Sequence, residues 1–175
     1  MPGVAIVTGS ARGDGNTRAM VDALLERIGA DATAFDVSDS RIEPFDYTAH
    51  DHADGFRAIV AAMAQSKHVV FATPVYWYAM SGPLKTFFDR LTDLVMPPEN
   101  RLLGRSLAGR RVWLLATGTD ETLPPGFAEP FVRTARYFDM EWGDVAYCRA
   151  CGEDRLADRA LDPVWELAER IGRGD

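Results

Sequence analysis

Short apolar runs alternate with amphipathic stretches along this chain. Val4-Ala5-Ile6-Val7 is a continuous apolar run that ends in Thr8-Gly9-Ser10. Such a run reads as a strand buried on both faces, as in a parallel sheet. Met20, Val21, Leu24, Leu25 and Ile28 then repeat at three- and four-residue spacing, the signature of a helix with one apolar face, and Gly29 stops it. Ala32 to Val37 is a weaker second strand. Phe56, Ile59, Val60 and Met63 mark a second helix, and His68 to Ala72 a third strand closed by Thr73-Pro74. Leu84, Phe87, Phe88, Leu91 and Leu94 predict a third helix ending near Pro97-Pro98. Arg111 to Ala116 is a fourth strand. A helix carrying Phe127, Phe131, Ala135 and Phe138 follows, then a fifth strand from Asp144 to Cys148. Asp162-Pro163 reads as an N-cap with Pro at the first helical position, opening a last helix to about Gly172. Five β-α repeats require parallel pairing with right-handed crossovers, hence a three-layer α/β sandwich. The stretch Ser38 to Gly55 breaks the pattern and reads as an exposed polar loop.

In such sheets ligands bind beyond the carboxyl ends of the strands. Three loops therefore matter, those following strands one, three and four: Gly9 to Thr17, Thr73 to Ser81 and Thr117 to Phe127. The first, Gly9-Ser10-Ala11-Arg12-Gly13-Asp14-Gly15-Asn16-Thr17, leads into a helix, whose first N–H groups and positive dipole end favour an anion. Ser10, Asn16 and Thr17 can donate to phosphate oxygens, and Arg12 can supply countercharge. A nucleoside-triphosphate loop would need Lys where Asn16 stands. The dinucleotide fingerprint would need Gly where Arg18 stands, although Asp36 lies where a ribose-binding acid would. The second loop, Thr73 to Pro83, carries three consecutive aromatics, Tyr76-Trp77-Tyr78. Their faces suit stacking on a planar heterocycle, with a subunit interface as the alternative use. Lys85, Asp89 and Arg90 follow on the helix; Lys85 and Asp89, four residues apart, read as a surface salt bridge rather than as catalytic groups.

Composition narrows the partners. The chain has 175 residues, 19 Lys+Arg against 26 Asp+Glu, and a net charge of −7. That length suits one domain, residues 1–175. The negative balance opposes nonspecific nucleic-acid binding, which needs surplus cations. No apolar run reaches the roughly 18–20 residues of a membrane span, and the N-terminus lacks a signal-peptide pattern. A cytoplasmic protein is expected. Two Cys are too few for a disulfide-stapled scaffold.

Together, Gly9-Ser10-x-Arg12-x-x-Gly15-Asn16-Thr17, Thr73-Pro74-Val75-Tyr76-Trp77 and Ser81-Gly82-Pro83-Leu84-Lys85-x-Phe87-x-Asp89-Arg90 resemble the flavodoxin-like NAD(P)H-dependent FMN reductases. The resemblance is carried from strand one to the third helix and by element order beyond it. It implies a flavodoxin-like sandwich with five parallel strands in order 2-1-3-4-5, noncovalent FMN, NAD(P)H as co-substrate, and a homodimer or homotetramer. Carried over, Ser10, Arg12, Gly15, Asn16 and Thr17 would hold the FMN phosphate region. Pro74, Val75, Tyr76 and Trp77 would line the isoalloxazine, and Thr117, Gly118 and Thr119 its pyrimidine edge. No side chain is named as catalytic, because the flavin carries the chemistry.

The expected activity is transfer of hydride from NAD(P)H through FMN to a small acceptor such as a quinone, flavin or azo compound. A flavodoxin-type electron carrier is the alternative. Carriers cluster acids around the flavin, and only Asp14 and Asp120-Glu121 fall near it here. A third reading is an interaction protein that kept the fold without the nucleotide. Some relatives hold an iron–sulfur cluster after strand two. Residues 42–48 contain no Cys, and a cluster needs about four thiolates. Cys148-x-x-Cys151 could form a redox pair, but it does not open a helix as thioredoxin-type pairs do. His50 and His52 with Asp51 and Asp54 could suggest a metal; the better reading is a solvated loop near the acceptor site.

Overall fold

The fold was analysed in a computed structural model, described here for residues 3–48, 52–151, 156 and 158–174. Five parallel strands form one sheet in the order β2-β1-β3-β4-β5. They are β1 (Val4–Thr8), β2 (Ala32–Asp36), β3 (His68–Pro74), β4 (Arg111–Gly118) and β5 (Glu141–Arg149). Six helices cover the two faces: α1 (Asn16–Ile28), α2 (Phe56–Gln65), α3 (Gly82–Arg90), α4 (Arg101–Arg105), α5 (Glu129–Tyr137) and α6 (Asp162–Arg173).

The strand alternation divides the apolar residues between two cores. Ala5, Val7, Val69, Phe71, Val112 and Leu114 pack with residues of α2, α3 and α5. Val4, Ile6, Val70, Ala72, Trp113 and Leu115 pack with residues of α1 and α6. This explains why the central strands read as unbroken apolar runs: successive side chains enter different cores, and both are dry.

Several expectations needed revision. The apolar face of α3 does continue to Leu94, but as a turn of 3-10 helix over Leu91–Leu94. The short α4 has no apolar periodicity to announce it. Asp162 is the first helical residue of α6 rather than its cap; Leu161 holds the cap position, without a side-chain bond. Strand β5 begins three residues earlier than the apolar pattern suggested, because a bulge interrupts its pairing. Val112 pairs with Trp142 and Leu114 with Val145, so Trp113 faces both Gly143 and Asp144. A Cβ on Gly143 would stand 2.7 Å from the Trp113 ring, so only Gly fits. The Trp113 indole donates to His68 Nδ1 at 3.1 Å. Burial, then the charges of Arg111 and Lys67, hold the His68 pKa below its ordinary value, which keeps it a neutral acceptor.

The largest revision concerns the loop after β2, which Arg90 ties down. Arg90 is 1% exposed. Its Nε donates to Asp93 Oδ2 at 2.5 Å, and its Nη1 to Asp54 Oδ2 at 2.6 Å and to the Glu43 carbonyl at 3.1 Å. The guanidinium also lies 4.9 Å from the Phe56 ring centroid. The Asp54 carboxylate accepts further bonds from the Phe56 and Glu43 N–H groups. The loop is therefore pinned to α3 at both Glu43 and Asp54.

Burial alone would raise the Asp54 pKa. The Phe56 N–H, the Arg90 guanidinium and the Glu43 N–H together outweigh it and hold the carboxyl below 3.8. A depressed folded pKa contributes stability that is complete above the unfolded value and lost as pH falls through the folded one. Stability measured by urea unfolding should therefore drop as pH falls below about 3.8. Asp54→Asn should be less stable at pH 7 and should close that gap with the unmodified chain at pH 2. Arg90→Met leaves two buried carboxylates without their cation and should cost about 3–5 kcal/mol at pH 7.

Candidate functional site

Because β1, β3 and β4 are parallel, their carboxyl ends share one edge of the sheet. The register sets Thr8 beside Ala72 and Pro74 beside Thr117. The loops that follow enclose a cleft of about 170 Å³, lined by Ser10, Arg12, Gly15, Asn16, Thr17, Pro74, Val75, Tyr76, Thr117, Gly118, Thr119 and Ala150. Every residue singled out from the sequence is there except Trp77, and Ala150 is the addition.

The β1–α1 loop builds one end of the cleft. Gly15 occupies the cap position of α1 without a side-chain cap bond, and the first turn carries no acid. The dipole and first N–H groups of α1 therefore keep their pull on an anion. Arg12 folds over this start: its Nε and Nη2 lie 3.6 and 3.7 Å from where a Cβ on Gly15 would stand. Among the described residues its guanidinium has no ion-pair partner. Asp36 does not enter the cleft; its Oδ1 accepts from the Ser38 N–H at 2.8 Å and closes a local turn. The dinucleotide reading of that acid is set aside.

The β3–α3 loop builds the wall. Val75 N–H donates to the Thr117 carbonyl at 2.7 Å, extending the sheet by one bond. Tyr76 and Ala79 exchange two backbone bonds, which makes Trp77 and Tyr78 the central residues of a tight turn. Both have positive φ, 50° and 64°. Bulky residues in this region carry strain of about 1–3 kcal/mol each. The turn sends Trp77 outward, 93% exposed, which is why it does not line the cleft with its neighbours.

Two buried hydroxyls brace this wall, and one of them, that of Ser81, ties it to the first loop, a role the sequence reading missed. Thr73 Oγ1 accepts from the Ser81 N–H at 3.0 Å. Ser81 Oγ donates to the Gly9 carbonyl at 2.8 Å and accepts from Leu84 N–H at 3.3 Å, capping α3. A Cβ on Gly9 would stand 2.8 Å from Leu84, so the close approach requires glycine. The pattern Ser-Gly-Pro before an apolar helix was the available signal for this cap.

Strand β5 supports the third loop. Tyr147 Oη donates to the Asp120 carbonyl at 2.9 Å, and Ala150 N–H to the Gly118 carbonyl at 2.8 Å. Burial first, and the Asp120 charge second, raise the Tyr147 pKa and keep it a neutral donor. Within the cleft, Thr117 Oγ1 is buried and has no hydrogen-bond partner among the described residues. A buried hydroxyl left so is costly unless a ligand completes it. The residues thus fit a phosphate-bearing ring compound: an open cation and uncapped helix start at one end, an unsatisfied hydroxyl at the other.

A family model described as NADPH-dependent FMN reductase matches residues 2–122. The chain belongs to that family. It is an oxidoreductase of the FMN reductase class with a flavodoxin-like fold. The matched span contains all three loops of the cleft except the contribution of Ala150. The chain is 27% identical over 123 residues to YwqN of Bacillus subtilis, provisionally named an NAD(P)H-dependent FMN-containing oxidoreductase; the match covers 67% of each. The solved structure of the Trp repressor binding protein from Bacillus subtilis is similar at a TM-score of 0.70 and 22% identity, over 96% of each chain. A WrbA-like flavodoxin from Agrobacterium tumefaciens gives 0.69 at 15% identity, over 98% of this chain and 95% of that one. At these identities the structural likenesses speak for the fold alone. No helix among the described residues is long and apolar enough to cross a membrane.

The remaining candidate chemistry dissolves on inspection. Asp54 is the buried partner of Arg90, and the His52 Nδ1 sits 2.9 Å from Glu43 Oε2. The His52 side chain is 8% exposed, so it is not a solvated loop group. His50 and Asp51 lie outside the described residues. Lys85 and Asp89 do form an exposed pair at 2.5 Å. Cys148 is buried in the core shared with α1 and α6, while Cys151 is exposed; both are free thiols. Burial pushes the Cys148 pKa up to about 12, so almost no reactive thiolate forms at neutral pH. A thiol reagent at pH 7.5 should therefore label one cysteine in the native protein and two after denaturation. Cys151→Ser should abolish the native labelling.

Proposed function

We propose that the cleft binds FMN noncovalently and that the chain passes hydride from NAD(P)H to a small acceptor. The observation that carries this reading is the pairing, in one cleft, of the open Arg12–α1 cradle with the unsatisfied Thr117 hydroxyl. Arg12, Ser10, Asn16 and Thr17 would hold the phosphate; Arg12 contributes charge, the others short-range donors. Pro74, Val75 and Tyr76 would confine the ring system, and Thr117, Gly118 and Thr119 would meet its polar edge. FMN, when bound, supplies two-electron chemistry that no side chain here offers. The chain's own work is orientation: the Ser81 and Tyr147 bonds fix the two loops before any ligand arrives, which lowers the ordering cost of binding. We further infer that residues 1–175 act as one FMN-binding domain, in the cytoplasm, as a homodimer or homotetramer. The carrier reading is disfavoured by family membership, and Asp14, Asp120 and Glu121 are all exposed acids at the rim.

Parallel titrations with FMN and riboflavin test the assignment, since riboflavin lacks the phosphate. Arg12→Ala should weaken FMN about tenfold or more and leave riboflavin affinity little changed. Thr117→Val should weaken both ligands to the same degree. Reconstituted protein should oxidise NADPH or NADH in the presence of a quinone. Failure to bind FMN, or an Arg12→Ala variant that weakens both ligands equally, overturns the reading.

A further inference from the structure

The carboxyl end of β5 and the residue after it meet the β4–α5 loop at three successive carbonyls. Ala150 N–H donates to Gly118 at 2.8 Å, Arg149 Nε to Thr119 at 3.4 Å and Tyr147 Oη to Asp120 at 2.9 Å. Tyr147 reaches furthest along the loop. Its ring packs against the core shared with α2, α3 and α5. Its hydroxyl passes Gly118 so closely that a Cβ there would stand 3.0 Å from it. These three β5-side residues lie beyond the span 2–122 that the family model matches.

A held carbonyl also aims a donor. Every peptide bond among the described residues is trans, so each N–H points opposite to the carbonyl of the residue before it. With the Gly118 and Asp120 carbonyls turned to β5, the N–H groups of Thr119 and Glu121 turn away from it. On the other side of β4 the ladder to β3 stops short. Val75 N–H reaches the Thr117 carbonyl at 2.7 Å, but the next rung, from Thr119 N–H to the Val75 carbonyl, is not made. Neither the Thr119 nor the Glu121 N–H has an acceptor among the described residues. Val75 and Thr119 both line the cleft, so the unmade rung leaves a backbone donor open in the cleft that also holds the unsatisfied Thr117 hydroxyl.

We infer that Tyr147 is a positioning residue for the redox step: by holding the Asp120 carbonyl it keeps the donors of the β4–α5 loop turned toward the cleft, and so favours the reduced cofactor over the oxidised one. The inference rests on the FMN reading above. Hydride carries two electrons and one proton, so a ring that accepts it holds one negative charge that the oxidised ring lacks. Hydrogen bonds to a charged acceptor are roughly twice as strong as those to a neutral one. Donors fixed in advance therefore discriminate between the two redox states, whereas donors free to turn lose part of that energy to reorientation. An aromatic side chain suits this task, because a ring packed on the core gives the hydroxyl little freedom to swing away.

Tyr147→Phe removes the hydroxyl and keeps the ring, and both redox states of FMN are then compared on one protein. Oxidised FMN, titrated by flavin fluorescence, should bind within about threefold of its affinity for the unmodified chain. The reduced form should lose about tenfold more, the scale of one hydrogen bond to a charged group. The two-electron potential of bound FMN should accordingly fall by about 30 mV. The FMN-free variant should melt about 2–4 °C lower, as the loss of a single bond predicts. An unchanged or higher potential overturns the inference. An equal loss of affinity in both redox states also overturns it, and would leave Tyr147 a structural brace alone. If the unmodified chain binds no FMN, the reading beneath fails instead, and the flavin spectrum of the unmodified protein distinguishes the two failures.

Discussion

The first two loops of the cleft are held together by one buried hydrogen bond, from the Ser81 hydroxyl to the Gly9 carbonyl. It spans 72 residues of sequence and joins the β1–α1 loop to the aromatic loop. The same hydroxyl caps α3, so the helix, both loops and the strand ends share one anchor. Gly9 makes this possible by lacking a Cβ where Leu84 presses in. A buried carbonyl at this junction would otherwise go unsatisfied, and each such group costs more than a made bond returns. The two halves of the site therefore hold their relative position before a ligand arrives.

A second constraint acts lower on the same helix. Arg90 pairs with both Asp54 and Asp93 in a site where each side chain is no more than 3% exposed. Three buried charges do not stabilise a fold by themselves, because desolvation offsets much of their attraction. What they fix is position. The loop after β2 packs Val37 and Ile42 against the core, and Arg90 adds two polar attachment points further along it, Asp54 and the Glu43 carbonyl. The polar bonds thereby fix the part of the segment that burial does not reach.

The legibility of the sequence follows the range of the forces involved. Strands β1, β3 and β4 were readable because burial on both faces leaves an unbroken apolar run, a local signal. The β1–α1 loop was legible as a glycine-rich lead into a helix, and so as part of the cleft wall, because those are local signals. The burial of Arg90 was not legible beside Lys85 and Asp89, since it depends on an acid 36 residues away. Lys85 and Asp89, whose pairing is local, were read correctly. Trp77 was grouped with Tyr76 because composition cannot report that the intervening turn reverses the side-chain direction. Strand β5 was truncated because its bulge answers to the Trp113 ring on another strand. Tyr147 acts on a loop 27 residues away, and nothing in its own neighbourhood announces it.

Net charge illustrates the same distinction. At −7 the chain as a whole repels phosphate, yet the function proposed above places one in its cleft. Other arginines are neutralised by nearby carboxylates: Arg18 by Asp22, Arg111 by Glu141, Arg133 by Glu129, Arg170 by Asp144. Arg12 instead lies over the uncapped start of α1, where no acid occupies the first turn. A screened long-range repulsion fades within about 8–10 Å at moderate salt, whereas a guanidinium and oriented N–H groups act at contact. The local arrangement therefore decides binding once an anion reaches the cleft. The acidic remainder affects only the approach, slowing polyanions more than a small cofactor with a single phosphate.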